Sequence, residues 1–256
     1  MIKPRIIDTH THLCDPVFDN DRPGVIQRAQ KAGVEAIVLV SENRPDVNRN
    51  LELAAKYSIL FPAAGLYPTC LDIEQTEEMC NYIRTEHSTL VAIGEVGLDY
   101  WVVKDESQRE VQREIFKRFI DLSREVSLPL NVHSRSAGRY AVAMLLEHGA
   151  RKVQLHAFDG KAASALQAAE AGFLFSIPPS VIRSRQKQKL VKRLPLTSLL
   201  VETDSPVLGP LPKERNEPAN AVIVVDAIAE IKRVDRTEVL QTVYQTTLGL
   251  YGDLII

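Results

Sequence analysis

The chain has few cysteines and no long hydrophobic run, and each of these absences excludes a class of protein. Its three cysteines, Cys14, Cys70 and Cys80, show no CxxC spacing, which argues against a zinc-finger site and against a disulfide-linked secreted domain. No stretch approaches the length of a membrane span, and residues 1–9 contain no apolar run typical of a signal peptide. We therefore expect a cytoplasmic protein, with the nucleus as a further location in a eukaryote, that has free thiols and no membrane association.

The chain also lacks an excess of charge of one sign. Its 31 lysines and arginines nearly balance its 33 aspartates and glutamates, for a formal net charge of −2. No overall basic field would attract nucleic acid, so any polyanionic substrate would have to be held by a local site. Hydrophobic residues make up 45% of the chain, which is ordinary for a globular protein with a large core. Nothing in the sequence indicates an obligate protein partner.

Short apolar segments alternate with segments of helical spacing along the whole chain. Eight such units in about 250 residues predict an α/β fold of the (β/α)8 TIM-barrel type, formed by residues 1–256 as a single domain. A doubly wound open sheet is the alternative. The predicted strands are residues 5–9, 36–40, 61–66, 91–94, 128–132, 152–155, 173–176 and 199–203.

Polar side chains at the ends of the predicted strands favour the barrel. In a barrel these ends converge on the face where active sites are built, whereas an open sheet would spread them along a row. A glutamate at the end of a buried strand is costly to desolvate unless it is paired, hydrogen-bonded or bound to a metal. The residues at strand ends are His10 and His12 (first strand), Glu95 (fourth), His133 (fifth), His156 (sixth) and Asp204 (eighth).

These side chains predict a centre with two metal ions. His10 and His12 lie two residues apart, so both rings point to the same side of an extended backbone. Six ligands are more than one tetrahedral ion needs, and nitrogen and oxygen ligands suit Mg, Mn or Zn without deciding among them. We assign His10, His12 and Asp204 to one ion, His133 and His156 to the second, and Glu95 to a bridging position between them.

The predicted centre has a chemical consequence. Two divalent ions about 3.5–4 Å apart clamp the oxygens of a displaced group and lower the pKa of bound water. We expect Asp204 and Glu95 to be catalytic, because Asp204 can orient that water and accept its proton while Glu95 bridges the ions. Gly94 and Gly97 flank the Glu95 carboxylate, so that backbone or a ligand can come close on both sides.

Six motifs in chain order resemble those of the TatD-type deoxyribonucleases. The resemblance spans nearly the whole chain, and six motifs in order are specific although each alone is weak. Residues 133–139, 175–180 and 186–190 are most similar to the branch called TatD domain-containing protein 3. The motifs are Asp8-Thr-His-Thr-His12, Gly94-Glu-Val-Gly-Leu-Asp99, Asn131-Val-His-Ser-Arg135, Leu155-His-Ala-Phe158, Glu202-Thr-Asp-Ser-Pro206 and Arg215-Asn-Glu-Pro218.

The resemblance implies a metal-dependent hydrolase that cleaves phosphodiester bonds of DNA, with divalent metals on the six residues assigned above. We expect an exonuclease that acts on single-stranded or frayed ends. The alternative is a binuclear-metal hydrolase of another ester, such as a small phosphoester, a lactone or an aminoacyl-RNA ester. Barrels of that kind often bridge their metals with a carbamylated lysine on strand four, where this chain has Glu95. A third interpretation, a binding scaffold without chemistry, is disfavoured by the intact Asp204.

Four residues are candidates for substrate contacts. Arg135 lies two residues beyond His133 and could hold a phosphate with two hydrogen bonds. Arg215 and Asn216, after the last strand, could contact the next phosphate. The family usually has a histidine in the turn after strand three, where this chain has Tyr67, which can donate a hydrogen bond but carries no positive charge.

Three further features have weaker functional interpretations. Tyr100 and Trp101 could stack on a base, although packing on the barrel rim is the favoured role. Asp99 could steer a ligating histidine. We expect the basic run at residues 183–189 to be a solvated helix face rather than a contact for nucleic acid.

Overall fold

Eight parallel strands form one sheet in chain order in the computed structural model of the protein, which describes residues 5–252 and 254. Each strand pairs with the next along the chain. The strands are β1 (Ile6–Thr11), β2 (Val34–Leu39), β3 (Leu60–Ala64), β4 (Ala92–Gly97), β5 (Leu130–His133), β6 (Val153–Leu155), β7 (Leu174–Ile177) and β8 (Leu199–Val201).

The two ends of the sheet meet, so the predicted TIM barrel is confirmed and the open sheet is excluded. The Thr9 hydroxyl of β1 donates to the carbonyl of Val201 in β8 at 3.0 Å. Just beyond β8, the backbone N–H of Asp204 donates to the His10 carbonyl at 2.8 Å. These bonds join the first strand to the last strand and to the loop that follows it. They also join the segments that carry two of the predicted ligands.

Helices follow the strands and surround the barrel. The longest is amphipathic, because its apolar residues recur at helical spacing and are buried while charged residues face solvent. The Asp105 side chain caps its first turn by accepting from the Gln108 N–H. The helices are α1 (Arg22–Ala32), α2 (Arg44–Lys56), α3 (Ile73–Glu86), α4 (Glu106–Val126), α5 (Gly138–Glu147), α6 (Ala162–Glu170), α7 (Arg185–Arg193), α8 (Ala221–Lys232) and α9 (Arg236–Tyr251).

Strand β4 is longer than the sequence indicates, and the two glycines beside Glu95 explain why it fits. The predicted strand ends at Gly94, whereas β4 continues through Glu95 to Gly97. A Cβ atom on Gly97 would lie 2.1 Å from the His133 carbonyl oxygen, and one on Gly94 would lie 2.6 Å from the Cβ of Asn131. It is therefore the neighbouring strand β5 that approaches Glu95 closely, and only glycine permits that approach.

The last helix, α9, closes the barrel at the end opposite to the predicted ligands. Small interior residues near the strand beginnings, including Ala36 and Ala92, leave room for Tyr244 of α9 and for Leu254 beyond it. The Tyr251 hydroxyl reaches into the interior, where it donates to the Gln154 side-chain oxygen at 2.6 Å. The C-terminal helix therefore fills the bottom of the barrel and contacts the polar layer beneath the candidate site.

Over residues 5–252 and 254, no helix is both long enough and apolar enough to cross a membrane. The cytoplasmic or nuclear location and the absence of an obligate protein partner stay predictions from the sequence.

Candidate metal centre

Glu95 lies between two pairs of histidines at the C-terminal ends of the strands. The side chain is 2% exposed, and each of its oxygens faces a different pair. Oε2 is 3.6 Å from Nε2 of His12 and 3.8 Å from Nε2 of His10. Oε1 is 2.6 Å from Nδ1 of His133 and 3.1 Å from Nε2 of His156. Each pair, together with Glu95, forms a group whose ligand atoms lie within 4.8 Å of one another and could hold a metal ion.

Asp204 lies on the side of His10 and His12. Its Oδ1 atom is 3.5 Å from Nε2 of each histidine. The residue follows β8 in a left-handed backbone conformation with φ of 55°, and its N–H bond to His10 ties it to β1. The structure thus brings together all six residues that the sequence predicts as ligands.

Hydrogen bonds orient the histidine rings. Nδ1 of His10 lies 2.8 Å from the Asn131 side-chain oxygen, which leaves Nε2 to face the centre. Asn131 is fixed in turn, because its amide donates to the Thr9 carbonyl and to the Tyr251 hydroxyl. A ring nitrogen that donates to an acceptor fixes the tautomer and leaves the other nitrogen free to bind a metal. The structure thus places Asn131, the first residue of the third motif, directly behind a predicted ligand.

Asp99 orients His133 in the same way. Its Oδ2 atom lies 3.1 Å from Nε2 of His133, so the opposite nitrogen, Nδ1, faces Glu95. Asp99 is itself held because its Oδ1 atom accepts from the backbone N–H groups of Trp101 and Val102. The interpretation of Asp99 from the sequence, that it steers a ligating histidine, therefore agrees with its contacts.

Sequence reasoning missed a further carboxylate beside the histidines, that of Glu202. It is fully buried and lies 3.5 Å from Nδ1 of His156, and it forms a further group with His156 and His10 that could hold a metal. Its oxygens accept from the N–H of Ala157 at 2.9 Å and from the hydroxyl of Ser176 at 2.6 Å. Glu202 lies two residues before Asp204, and this spacing is the signal that could have found it, as it found His10 and His12.

The buried carboxylates of the centre favour the protonated forms of neighbouring histidines. Burial lowers the pKa of His10 to about 3. Burial opposes the charged form of His12 as well, but the hydrogen bond to Asp204 and the nearby Glu95 raise its pKa to about 9. For the same reason, Glu95 and Glu202 hold the pKa of His156 well above its usual value despite its burial. Metal ions that bind in this centre would therefore displace protons from His12 and His156.

We expect metal binding to release protons and to tighten as the pH rises. The raised pKa values of His12 and His156 favour their protonated forms at neutral pH, and these protons must leave before the rings become ligands. The dissociation constant should therefore fall about tenfold per pH unit for each proton displaced. This pH dependence of the dissociation constant should persist up to about pH 9, because above that pH His12 is already neutral before the metal binds. Calorimetric titration with Mn²⁺ between pH 6.5 and 8.5, in buffers of different ionisation enthalpy, measures the number of protons released. An affinity that does not change with pH would contradict this view of the centre.

A family model described as TatD related DNase matches residues 7–252 of the chain. The protein belongs to the TatD related DNase family. Deoxyribonuclease TATDN3 of Homo sapiens is 42% identical to it over 97% of this chain and 95% of that protein. The uncharacterised metal-dependent hydrolase YabD of Bacillus subtilis is 36% identical over 96% of this chain and 98% of its own.

The structural similarity agrees with the family. The crystal structure of YJJV, a TatD homologue from Escherichia coli, superposes with a TM-score of 0.90 at 28% sequence identity and covers 98% of this chain and 100% of that chain. The family predicted from the six motifs is therefore confirmed. This TatD-family protein is a metal-dependent hydrolase with the TIM-barrel fold.

The centre opens into a cavity of about 570 Å³ that reaches the surface. Two of the predicted substrate contacts, Arg135 and Tyr67, line this cavity. The guanidinium of Arg135 lies 5.1 Å from the Trp101 ring, which is 56% exposed at the rim. The Tyr67 ring lies 5.1 Å from the His133 ring. Arg135 and Tyr67 are therefore positioned to contact a ligand that enters the centre.

The other two predicted substrate contacts, Arg215 and Asn216, are committed elsewhere in the protein. Arg215 donates to both oxygens of Asp21, at 2.7 and 2.6 Å. Asn216 is 1% exposed, and its amide donates to the carbonyls of Thr203 and Val207. Arg215 ties the loop after β8 to the start of α1, and Asn216 holds the loop that carries Asp204. These contacts do not support a role in substrate binding, and that role stays a prediction.

The basic run at residues 183–189 also differs from the prediction. Lys189 faces solvent as expected, but Lys187 is buried and lines the cavity. The reason is that the first turn of α7 packs on the loop after β6, where Gln186 donates to the carbonyls of Phe158 and Gly160. A solvated face is therefore the wrong description for this part of the helix.

Proposed function

We propose that this TatD-family protein is a metal-dependent deoxyribonuclease that hydrolyses phosphodiester bonds. The observation on which this proposal mainly rests is the position of Glu95, whose two oxygens face two separate pairs of histidines at the catalytic face of a barrel. The relative from Homo sapiens that is named a deoxyribonuclease supports the choice of DNA as the substrate.

We further propose that the centre holds two divalent ions, of Mg, Mn or Zn. The chemistry of the donor set fits, because all six groups offer nitrogen or oxygen and none offers a thiolate. The paired oxygens of a single buried carboxylate favour a bridge between two ions over one shared ion. In this proposal His10, His12 and Asp204 would hold one ion, His133 and His156 would hold the other, and Glu95 would contribute to both sites.

Bound ions of this kind would polarise the phosphate and lower the pKa of a water molecule. The protein supplies the remaining steps. Asp204, in the wall of the cavity, accepts the proton of the attacking water. Arg135 binds phosphate oxygens from the β5 side of the cavity. Tyr67 donates a hydrogen bond to the phosphate, because burial and the nearby Glu95 raise its pKa and keep its hydroxyl protonated.

We propose that the enzyme acts as an exonuclease on single-stranded or frayed ends. The formal net charge is −2, so the protein has no excess of positive charge to bind a long duplex. Trp101, exposed beside Arg135, can stack on an unpaired base, and such stacking accepts any sequence. A strand end that enters the cavity would meet both side chains.

Metal-free protein incubated with end-labelled DNA tests this function. We expect cleavage of linear single strands only after Mg²⁺, Mn²⁺ or Zn²⁺ is added, with mononucleotides released from one end and with circular single strands left intact. Cleavage of the circular strand would show that the enzyme is an endonuclease and not an exonuclease. Turnover of a small phosphoester, a lactone or an aminoacyl-RNA ester without any cleavage of DNA would overturn the proposed substrate.

A further inference from the structure

The cavity contains a buried lysine to which the proposed chemistry gives no role. Lys187, on the first turns of α7, is 8% exposed and lines the cavity together with His156 and Asp204. Its ammonium donates to the carbonyl of Ala157 at 2.9 Å. The side chain therefore extends from the helix to the wall of the centre instead of reaching solvent.

The ammonium of Lys187 has few partners for a buried charge. It has three N–H groups, and the Ala157 carbonyl accepts one of them. Across residues 5–252 and 254, no carboxylate lies within 4.0 Å of its nitrogen, although Asp159 and Asp204 line the same cavity. Burying an ammonium is costly unless an anion or further acceptors meet it. Two N–H groups therefore remain for a ligand in the cavity.

We propose that Lys187 is a phosphate-binding residue that anchors an oxygen of a substrate phosphate within the cavity. This inference rests on the proposed function, since the anion is taken to be a phosphate of a nucleic acid strand. Lys187 on α7 and Arg135 after β5 line the same cavity, so two cations from different elements would contact the strand. A lysine binds phosphate as a compact point charge, and the low polarity of a buried site strengthens that interaction.

A purely structural role for Lys187 makes a different prediction. If the side chain only ties α7 to the loop after β6, any side-chain donor of similar length that reaches Ala157 should replace it. Glutamine at this position keeps an N–H donor but removes the charge. The variant Lys187→Gln therefore separates the two roles, and Lys189→Gln on the solvent face of the same helix is the matched control.

The test uses inorganic phosphate as the probe and the Mg²⁺-loaded protein. For Lys187→Gln we expect the calorimetric dissociation constant of phosphate, and the KM for a short single strand, to rise about tenfold or more. The phosphate charge is present in both the ground state and the transition state, so kcat should change less than KM. Lys189→Gln should match the wild type in all three quantities.

A folded Lys187→Gln protein with an unchanged phosphate affinity would overturn the inference. If that variant does not fold, wild-type protein with ¹³C-labelled lysine side chains still decides the question. The Lys187 resonance is identified as the one that is missing from the spectrum of Lys187→Arg, and added phosphate must shift it. A resonance that does not shift would overturn the inference. Phosphate binding does not require cleavage, so the two proposals can fail separately. A wild-type protein that binds phosphate through Lys187 but leaves DNA intact would refute only the nuclease.

Discussion

Asp204→Asn is expected to lower kcat for cleavage of single-stranded DNA by about a thousandfold, within the range of 10²–10⁴ typical of general-base catalysis. An amide cannot accept the proton of the attacking water. The fold should survive, because asparagine tolerates the left-handed backbone conformation that Asp204 adopts with φ of 55°. Single-turnover kinetics at saturating Mn²⁺ measure the effect on the chemical step, since saturation offsets any weaker binding at the site of His10 and His12.

Asp159→Asn is the matched control for this variant. Asp159 lines the same cavity, but its oxygens accept from the Ser136 N–H at 3.1 and 3.0 Å. We expect the kcat of the Asp159→Asn variant to stay close to that of the wild type. Equal losses in the two variants would mean that general carboxylate charge in the cavity, and not a proton acceptor at Asp204, supports the reaction.

Glu95→Gln is expected to remove the second metal ion and to abolish measurable cleavage. The amide has one oxygen, so one histidine pair would face an N–H donor that repels a cation. We expect the bound metal to fall from two ions per chain to one or fewer, and the rise in melting temperature caused by Mn²⁺ to shrink with it. Elemental analysis of dialysed protein and thermal unfolding with and without Mn²⁺ measure both effects.

Glu42→Gln serves as the control for that experiment. Glu42 lies 3.8 Å from Nδ1 of His12, yet its side chain is 44% exposed. We expect this variant to retain two ions and most of its activity. A Glu95→Gln protein that still binds two ions would show that the carboxylate does not bridge them.

The ligands of the centre could be predicted because barrel topology concentrates strand ends. His10, Glu95 and Asp204 are far apart in sequence, but each follows or ends a short apolar segment, and a parallel barrel places all such positions on one face. The strands themselves follow from apolar periodicity. Only their limits differ, as in β4, which extends past Glu95 because Gly97 lets β5 approach.

The remaining parts of the site depend on contacts that one sequence does not reveal. Arg215 has the right position along the chain to meet a phosphate, but it pairs with Asp21, almost two hundred residues away. Lys187 lies in a basic helix whose composition indicates a solvated face, and only the packing of α7 on the loop after β6 turns it inward. Glu202 was detectable from its spacing to Asp204, but its contact with His156 requires the closed barrel.

Crystallographic location of Mn²⁺ by its anomalous scattering tests the central assignment most directly. Crystals of the wild-type protein soaked in Mn²⁺ should show two peaks, one against His10, His12 and Asp204 and the other against His133 and His156. Each peak should contact a different oxygen of Glu95. A single peak at saturating Mn²⁺, or two peaks that do not share Glu95, would contradict the account.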